Sequence, residues 1–331
     1  MKVLFIGGTG NISAAVSKLA LEQGIDLYHL NRGNKPALDG VNNLVADIAD
    51  SIAVKKMLSN HIWDVVVNWV AFTPEDVIRD IKTFEGKVGQ YIFISSASVY
   101  QKPPVHYIIS ETTPLDNPFW DYARNKIACE NLLMDEFARK EFPVTIVRPS
   151  HTYSTVIPVT LGGWTEYTVI DRIKKGLPVV VQGDGTSLWT LTHADDFAIG
   201  FLGLFGNNLA LGKAFHITSD EVLTWNQIYQ TVAQATGFDA NIVHIPSDYI
   251  ADYADLHHYP SKRGSLLGDK SYSAVFDNSK IKKFVPTYKA NIPFAAGIKN
   301  TLHWFESEPI RMIINEETNK FLDGLIDNFG R

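Results

Sequence analysis

Tyr122 and Lys126, in the run Asp121-Tyr122-Ala123-Arg124-Asn125-Lys126, put a phenol and an ammonium four residues apart. On a helix that spacing places both on one face, and the chemistry such a pair offers is proton transfer. An unperturbed tyrosine titrates at about pH 10, so a phenolate base working near neutrality needs roughly 3 units, about 4 kcal/mol, of electrostatic help. Lys126 stands where it could give part of it. The spacing alone is that of any helix face, and the rest of the chain decides its meaning.

The elements around the pair read as a parallel sheet. Over the first 150 residues, short β-rich runs (Val3–Ile6, Asp26–Leu30, Asn43–Ala46, Asp64–Val70, Tyr91–Ser95, Val144–Val147) alternate with helical patterns such as Ser13–Gln23, which Gly24 ends. The strands carry nearly continuous Val, Ile and Phe, as expected when helices cover both faces. Beyond Pro149 the rhythm loosens at Pro158, Gly162-Gly163, Pro178 and Gly183-Asp184-Gly185. The fold class expected is α/β, a doubly wound parallel sheet over 1–150, with a smaller C-terminal lobe over 151–331. The Ala214–Thr218 run can return to the sheet, so the first unit also takes in about 190–218.

Directly after the first strand, Gly7-Gly8-Thr9-Gly10-Asn11-Ile12-Ser13 opens the first helix. Glycines allow a tight turn and close backbone approach, and the free amides of a helix start suit a pyrophosphate. The small Ser13 takes the place of a third spaced glycine. The second strand ends Leu30-Asn31-Arg32-Gly33, with no carboxylate for a ribose diol. Asn31 can bond a hydroxyl and Arg32 can pair with a 2′-phosphate, which leans the cofactor toward NADP over NAD. Asp47-Ile48 after the third strand can receive the adenine amino group. The fifth run, Tyr91 to Tyr100, ends in the hydroxyls Ser95, Ser96 and Ser98 at the carboxyl edge, where ligands bind in open α/β sheets.

With the glycine turn, the Ser96 run and Tyr122/Lys126 in place, the chain resembles the short-chain dehydrogenase/reductase superfamily, in its extended, epimerase/dehydratase-like branch or a divergent subgroup. The likeness extends through Arg148-Pro149, Gly183-Asp184-Gly185, His193-Ala194-Asp195-Asp196 and Asp277-Asn278-Ser279-Lys280. It implies Ser96 as the hydroxyl that bonds the reacting oxygen, Tyr122 as acid/base, and Lys126 as the group that lowers the tyrosine pKa and holds the nicotinamide ribose. It also implies a cofactor lined by Gly7, Thr9, Gly10, Asn11, Ile12, Asn31, Arg32, Asp47, Ile48, Trp69, Ala71, Tyr122, Lys126 and Pro149, and a substrate met by Ser98, His151, Tyr153 and Trp189.

Departures from the family pattern narrow the substrate. Nucleotide-sugar relatives carry an arginine after the Gly-Asp-Gly turn where this chain has Trp189. A second arginine is replaced by the stretch Gly264-Ser265-Leu266-Leu267-Gly268. Both are charge clamps on a pyrophosphate, and Lys262, Arg263 or Lys270 could compensate. Trp189 either stacks on a ring or fills the lobe core. His151 replaces an asparagine and either bonds a sugar hydroxyl, carries a second proton, or simply lodges in a loop. Ala97-Ser98 supply no Asp-Glu pair, which disfavours 4,6-dehydration. Phe72 to Gln90, a region through which relatives often dimerise, is short. A homodimer remains one expectation, with the oligomeric state open.

Composition closes off other classes. The chain of 331 residues is 45% hydrophobic and 20% charged, with net charge −6 and one cysteine, Cys129. That balance argues against a nucleic-acid binder, and a lone cysteine fits a reducing, cytoplasmic setting. No apolar run reaches membrane-span length, and the adjacent His257-His258 lack metal-ligand spacing. The reading is an NAD(P)-dependent oxidoreductase or epimerase acting on a polar, sugar-like carbonyl or hydroxyl compound. The alternative is a non-catalytic dinucleotide sensor or RNA-associated member of the superfamily.

Overall fold

The computed structural model describes residues 1–259 and 262–330. Seven parallel strands form the central sheet: β1 (Lys2–Ile6), β2 (Asp26–Asn31), β3 (Asn42–Val45), β4 (Trp63–Asn68), β5 (Val88–Ile94), β6 (Val144–Pro149) and β7 (Lys213–Ile217). Their spatial order is β7-β6-β5-β4-β1-β2-β3. The order reverses at β1, which lies between β2 and β4. A crevice opens at that point outside the carboxyl ends of the strands.

The helices that matter for the site are α1 (Asn11–Glu22), α2 (Ser51–Met57), α3 (Pro74–Phe84), α4 (Asp121–Lys140), α5 (Thr168–Lys174) and α6 (Ala194–Leu202). Alternation along the strands buries both sheet faces. Val3 and Phe5 of β1 pack with Val16 and Ala20 of α1 and with Phe197 and Phe201 of α6, while Leu4 and Ile6 pack with Cys129 and Leu133 of α4. Helix α3 starts where it does because Pro74 follows Thr73, whose hydroxyl accepts from the Asp76 amide while Asp76 reaches back to the Thr73 amide.

Strand β5 stops at Ile94, short of the Tyr91–Tyr100 run read from the sequence. Ser96 Oγ accepts the Ser98 amide at 3.2 Å, and Ala97–Val99 curl into a 3₁₀ turn. The chain does return to the sheet after Pro149, at the Ala214–Thr218 run: β7 pairs beside β6, with Phe215 opposite Val147. The second lobe holds a parallel pair, Val179–Gln182 with Ile242–Ile245, and its own core around Trp189, Trp225 and Tyr229. No helix among the described residues is long and apolar enough to cross a membrane.

Candidate active site

The glycine turn is built over a buried histidine. Gly8 has φ +114°, and a Cβ there would lie 2.6 Å from Cε1 of His29, so only glycine fits. His29 is 1% exposed, its Nε2 sits 2.9 Å from Ser17 Oγ, and burial lowers its pKa to about 4. Ser13, also buried, receives the Gly10 amide at 2.9 Å, which explains why a small polar residue serves at the start of α1. A pH dependence follows. The unfolded imidazole titrates near 6.5, so its neutral-state stability is present above that pH and is lost as pH falls through about 4. Acid unfolding monitored by circular dichroism should show a slope of about one proton in this window, absent in His29→Gln.

A cavity of about 400 Å³ lies beside the turn at the end of β2, lined by Gly7, Thr9, Asn31, Arg32, Asp47 and Ile48 among others. Asn31 is committed locally: its Oδ1 accepts the Gly33 amide at 3.0 Å and its Nδ2 donates to Asn43 at 3.2 Å. Asp47 accepts the Ala49 amide at 2.9 Å, leaving one carboxylate oxygen uncommitted in these contacts. Arg32 is exposed and has no ion-pair partner among the described residues. Lys35 and Phe72 also line this cavity and went unread in the sequence. Lys35 reaches across the turn to the Thr9 carbonyl at 3.4 Å, a contact that a basic residue four positions past the strand end could have signalled. The open turn and unpaired cations fit a dinucleotide phosphate.

Three residues expected at the cofactor do other work. Asn11 Nδ2 donates to the Thr152 carbonyl and Asn11 Oδ1 accepts the Thr155 amide, both at 2.9 Å, so this side chain pins α1 to the second lobe. Trp69 turns into the core, 5.6 Å from Phe5 and 5.2 Å from Phe201, because the residue after β4 points to the α1/α6 face. Ala71 is fully buried and offers its carbonyl to Lys126.

A second cavity, about 460 Å³, brings together Ile12, Ser96, Ser98, Tyr122, Pro149 and His151 from four separate segments. Ser96 Oγ also accepts from Ser98 Oγ at 2.9 Å, which leaves its own hydrogen to donate, and it shares the cavity with Tyr122. Burial raises the Tyr122 pKa above its ordinary value; the nearby Ser96 hydroxyl opposes the rise and Asp269 adds to it. Lys126 is buried and donates to the Ala71 and Ile94 carbonyls at 2.6 and 2.8 Å. Its amine lies 5.8 Å from the Tyr122 ring centre, and burial lowers its pKa to about 8. Burial is the dominant influence on Tyr122, and Lys126, whose protons go to two backbone carbonyls, does not offset it in this geometry.

Two residues expected at the substrate lie in the core instead. Trp189 is 2% exposed, packs 5.1 Å from Trp225, and donates from Nε1 to His151 Nδ1 at 3.1 Å. Tyr153 is fully buried, edge-on to His193 and Phe294 at 5.3 Å each. It belongs to the short strand His151–Tyr153, which pairs with Leu191–His193 and is buried along its whole length. His151 does reach the cavity, stacked 4.7 Å from Trp164.

Gly264 and Gly268 make room for an indole: a Cβ at Gly264 would meet Trp120 Cδ1 at 2.4 Å, and one at Gly268 would meet Trp120 Cβ at 2.9 Å. Trp120 in turn lies 4.9 Å from Tyr122 and helps line the cavity. Lys262 and Lys270, two of the residues that could compensate for the missing arginines, also line it, Lys270 only 5% exposed at the end of a π-helical turn. Arg263 is diverted to Asp252 and Asp255. Among the described residues no three His, Cys, Asp or Glu side chains converge as a metal site.

Comparison with known proteins agrees with this architecture. Residues 3–217 match the NAD dependent epimerase/dehydratase family. The chain is 23% identical to 2′-dehydrokanamycin reductase of Streptomyces kanamyceticus over 87% of this chain and 80% of that protein. It is 28% identical to the chloroplast stem-loop binding protein of 41 kDa b of Arabidopsis thaliana, over 73% of this chain and 65% of that protein. In fold it is similar to UDP-glucose 4-epimerase from Bifidobacterium longum, solved in complex with NAD+ and UDP. The TM-score is 0.73 at 19% identity, covering 93% of this chain and 99% of that one. A seven-stranded parallel sheet, a glycine turn at its switch point and a family match across both place the chain among the enzymes of the NAD-dependent epimerase/dehydratase family, to which it belongs.

Proposed function

We propose that this enzyme is an NADP(H)-preferring oxidoreductase that interconverts a carbonyl and a hydroxyl on a small, polar, sugar-like compound in the cytoplasm. The observation that carries the reading is the convergence of Ser96 and Tyr122 in one cavity at the carboxyl edge of the sheet, with the buried Lys126 behind them. When bound, the cofactor supplies or accepts the hydride at its nicotinamide. Thr9 and the start of α1 would hold the pyrophosphate, Arg32 and Lys35 the 2′-phosphate, Asp47 and Ile48 the adenine, and Ile12, Lys126 and Pro149 the nicotinamide end.

The chain's own part is proton transfer and oxyanion stabilisation. Ser96 donates to the reacting oxygen, and Tyr122 gives or takes the hydroxyl proton. A phenol held above its ordinary pKa is protonated at neutral pH. That state supplies the proton an alkoxide needs when a carbonyl is reduced. A reductase among the similar proteins supports the same direction.

Incubation of the purified enzyme with NADPH or NADH against sugars, sugar phosphates and ketones tests the reading. A lasting, stoichiometric loss of reduced-cofactor absorbance is expected with at least one substrate; cofactor that returns to its starting redox state would point to epimerisation. Arg32→Ser should weaken NADPH binding about 10-fold or more while leaving NADH within about 2-fold, since a charge-assisted phosphate contact is removed. Equal loss for both cofactors would remove Arg32 from 2′-phosphate recognition.

A second reading, RNA association, is raised by the likeness to a stem-loop binding protein alone. Tight RNA binding with a steep salt dependence, together with no turnover on any carbonyl compound, would establish it in place of the first.

A further inference from the structure

His151 is 4% exposed, lines the catalytic cavity, and carries one nitrogen, Nε2, that is buried with no hydrogen-bond partner. Its other nitrogen is spoken for. An indole N–H can only donate, so Nδ1, 3.1 Å from Trp189 Nε1, is the acceptor and the ring proton of neutral His151 sits on Nε2. Burial, reinforced by the Lys270 charge, keeps the ring neutral. A buried N–H without a partner costs free energy that a substrate oxygen can recover.

The charges of the same cavity are unequal. Lys262 and Lys270 line it against one carboxylate, Asp269. Lys270 pairs with Asp269 at 3.2 Å and lies 5.7 Å from the Trp164 ring; Lys262 makes no ion pair among the described residues. Lys102, 2% exposed, is a third amine close enough to feel Asp269 and Lys270.

Resting on the oxidoreductase reading above, we propose that His151 is a specificity-determining hydrogen-bond donor, fixed as the Nε2–H tautomer by Trp189. It meets an acceptor oxygen of a substrate whose anionic group, carboxylate or phosphate, lies against Lys262 and Lys270. Trp189 is then a positioning residue that acts through His151, and Trp164 covers the imidazole face. This arrangement leaves His151 no lone pair for the substrate, so it is a donor and not a second proton carrier.

Two measurements test it. Nitrogen-15 spectra of histidine-labelled protein, with His151 assigned by difference from His151→Gln, should show the Nε2–H tautomer in the wild type and a mixture in Trp189→Phe. An Nδ1–H or protonated ring in the wild type overturns the proposal. Tryptophan fluorescence titration with galacturonate, glucose 6-phosphate, glucose and glucosamine, in the presence of NADP+, should show one of the two anionic sugars binding at least about 10-fold more tightly than the neutral and cationic ones. The two anions separate carboxylate from phosphate recognition. His151→Gln, which keeps a donor, should retain that preference, and His151→Phe should lose about 10-fold in affinity. No preference for either anion, or undiminished binding by His151→Phe, overturns it. Failure to bind NADPH or NADH at all would instead sink the oxidoreductase reading, while the tautomer result would stand on its own.

Discussion

Tyr122→Phe should lower kcat by about 10²–10⁴-fold, the usual contribution of a positioned general acid or base, while KM stays within a few-fold. The substitution removes one hydroxyl and keeps the ring that packs 4.9 Å from Trp120 and 6.3 Å from Phe72, so the cavity wall is preserved. What is lost is the proton that Ser96 and Tyr122 would hold at the reacting oxygen. Cofactor affinity is the control, because the glycine turn and the Arg32 end of the site lie in a separate cavity. Stopped-flow single turnovers with NADPH would separate chemistry from product release. Reduction that proceeds undiminished would take Tyr122 out of the mechanism. The raised phenol pKa adds a directional expectation: oxidation of the alcohol, which needs the phenolate, should gain more from rising pH than reduction does.

The residues legible in the sequence are those whose meaning is local. The strand, glycine turn and helix over Lys2–Glu22 are contiguous, and Tyr122/Lys126 share a helix face by spacing alone. Ser96 could be read because a hydroxyl at a strand's carboxyl end has few other places to point. Trp189 and Tyr153 could not be placed, since each lies in a strand of two or three residues where alternation has too few positions to declare a face. Trp120, Trp164, Lys262 and Lys270 meet from segments more than 40 residues apart for most pairs, and only the folded lobe brings them to one cavity. The Tyr122 pKa is out of reach for a different reason: spacing reports proximity to a charge but not desolvation, and here desolvation is the largest cause.

Replacing Glu130 by alanine should cost about 3–5 kcal/mol of stability, the range for breaking a buried ion pair from one side. Glu130 on α4 and Arg148 on β6 are each 5% exposed or less at the side chain and meet through Arg148 Nε and Nη2, at 2.9 and 2.5 Å. Ser95 donates to the same carboxylate, and the guanidinium lies 4.9 Å from the Tyr100 ring. Without Glu130 the guanidinium stays charged, because its pKa lies far above any working pH, and its Nη1 is already buried without a partner. The cost is thus a stranded charge more than a lost attraction. Since Ser95 adjoins Ser96 and Pro149 adjoins Arg148, the damage reaches the catalytic cavity and should lower kcat as well as the unfolding midpoint. At roughly 2–4 °C per kcal/mol for chains of 150–250 residues, and less for a longer one, the midpoint should fall by on the order of 10 °C. The double variant Glu130→Met/Arg148→Leu separates the two effects. It removes both charges and keeps side-chain volume, so it should regain most of the stability lost by Glu130→Ala. If the double variant is as unstable as the single one, or if Glu130→Ala costs less than about 1 kcal/mol in urea unfolding, the pair is not the strut between α4 and β6 that its geometry describes.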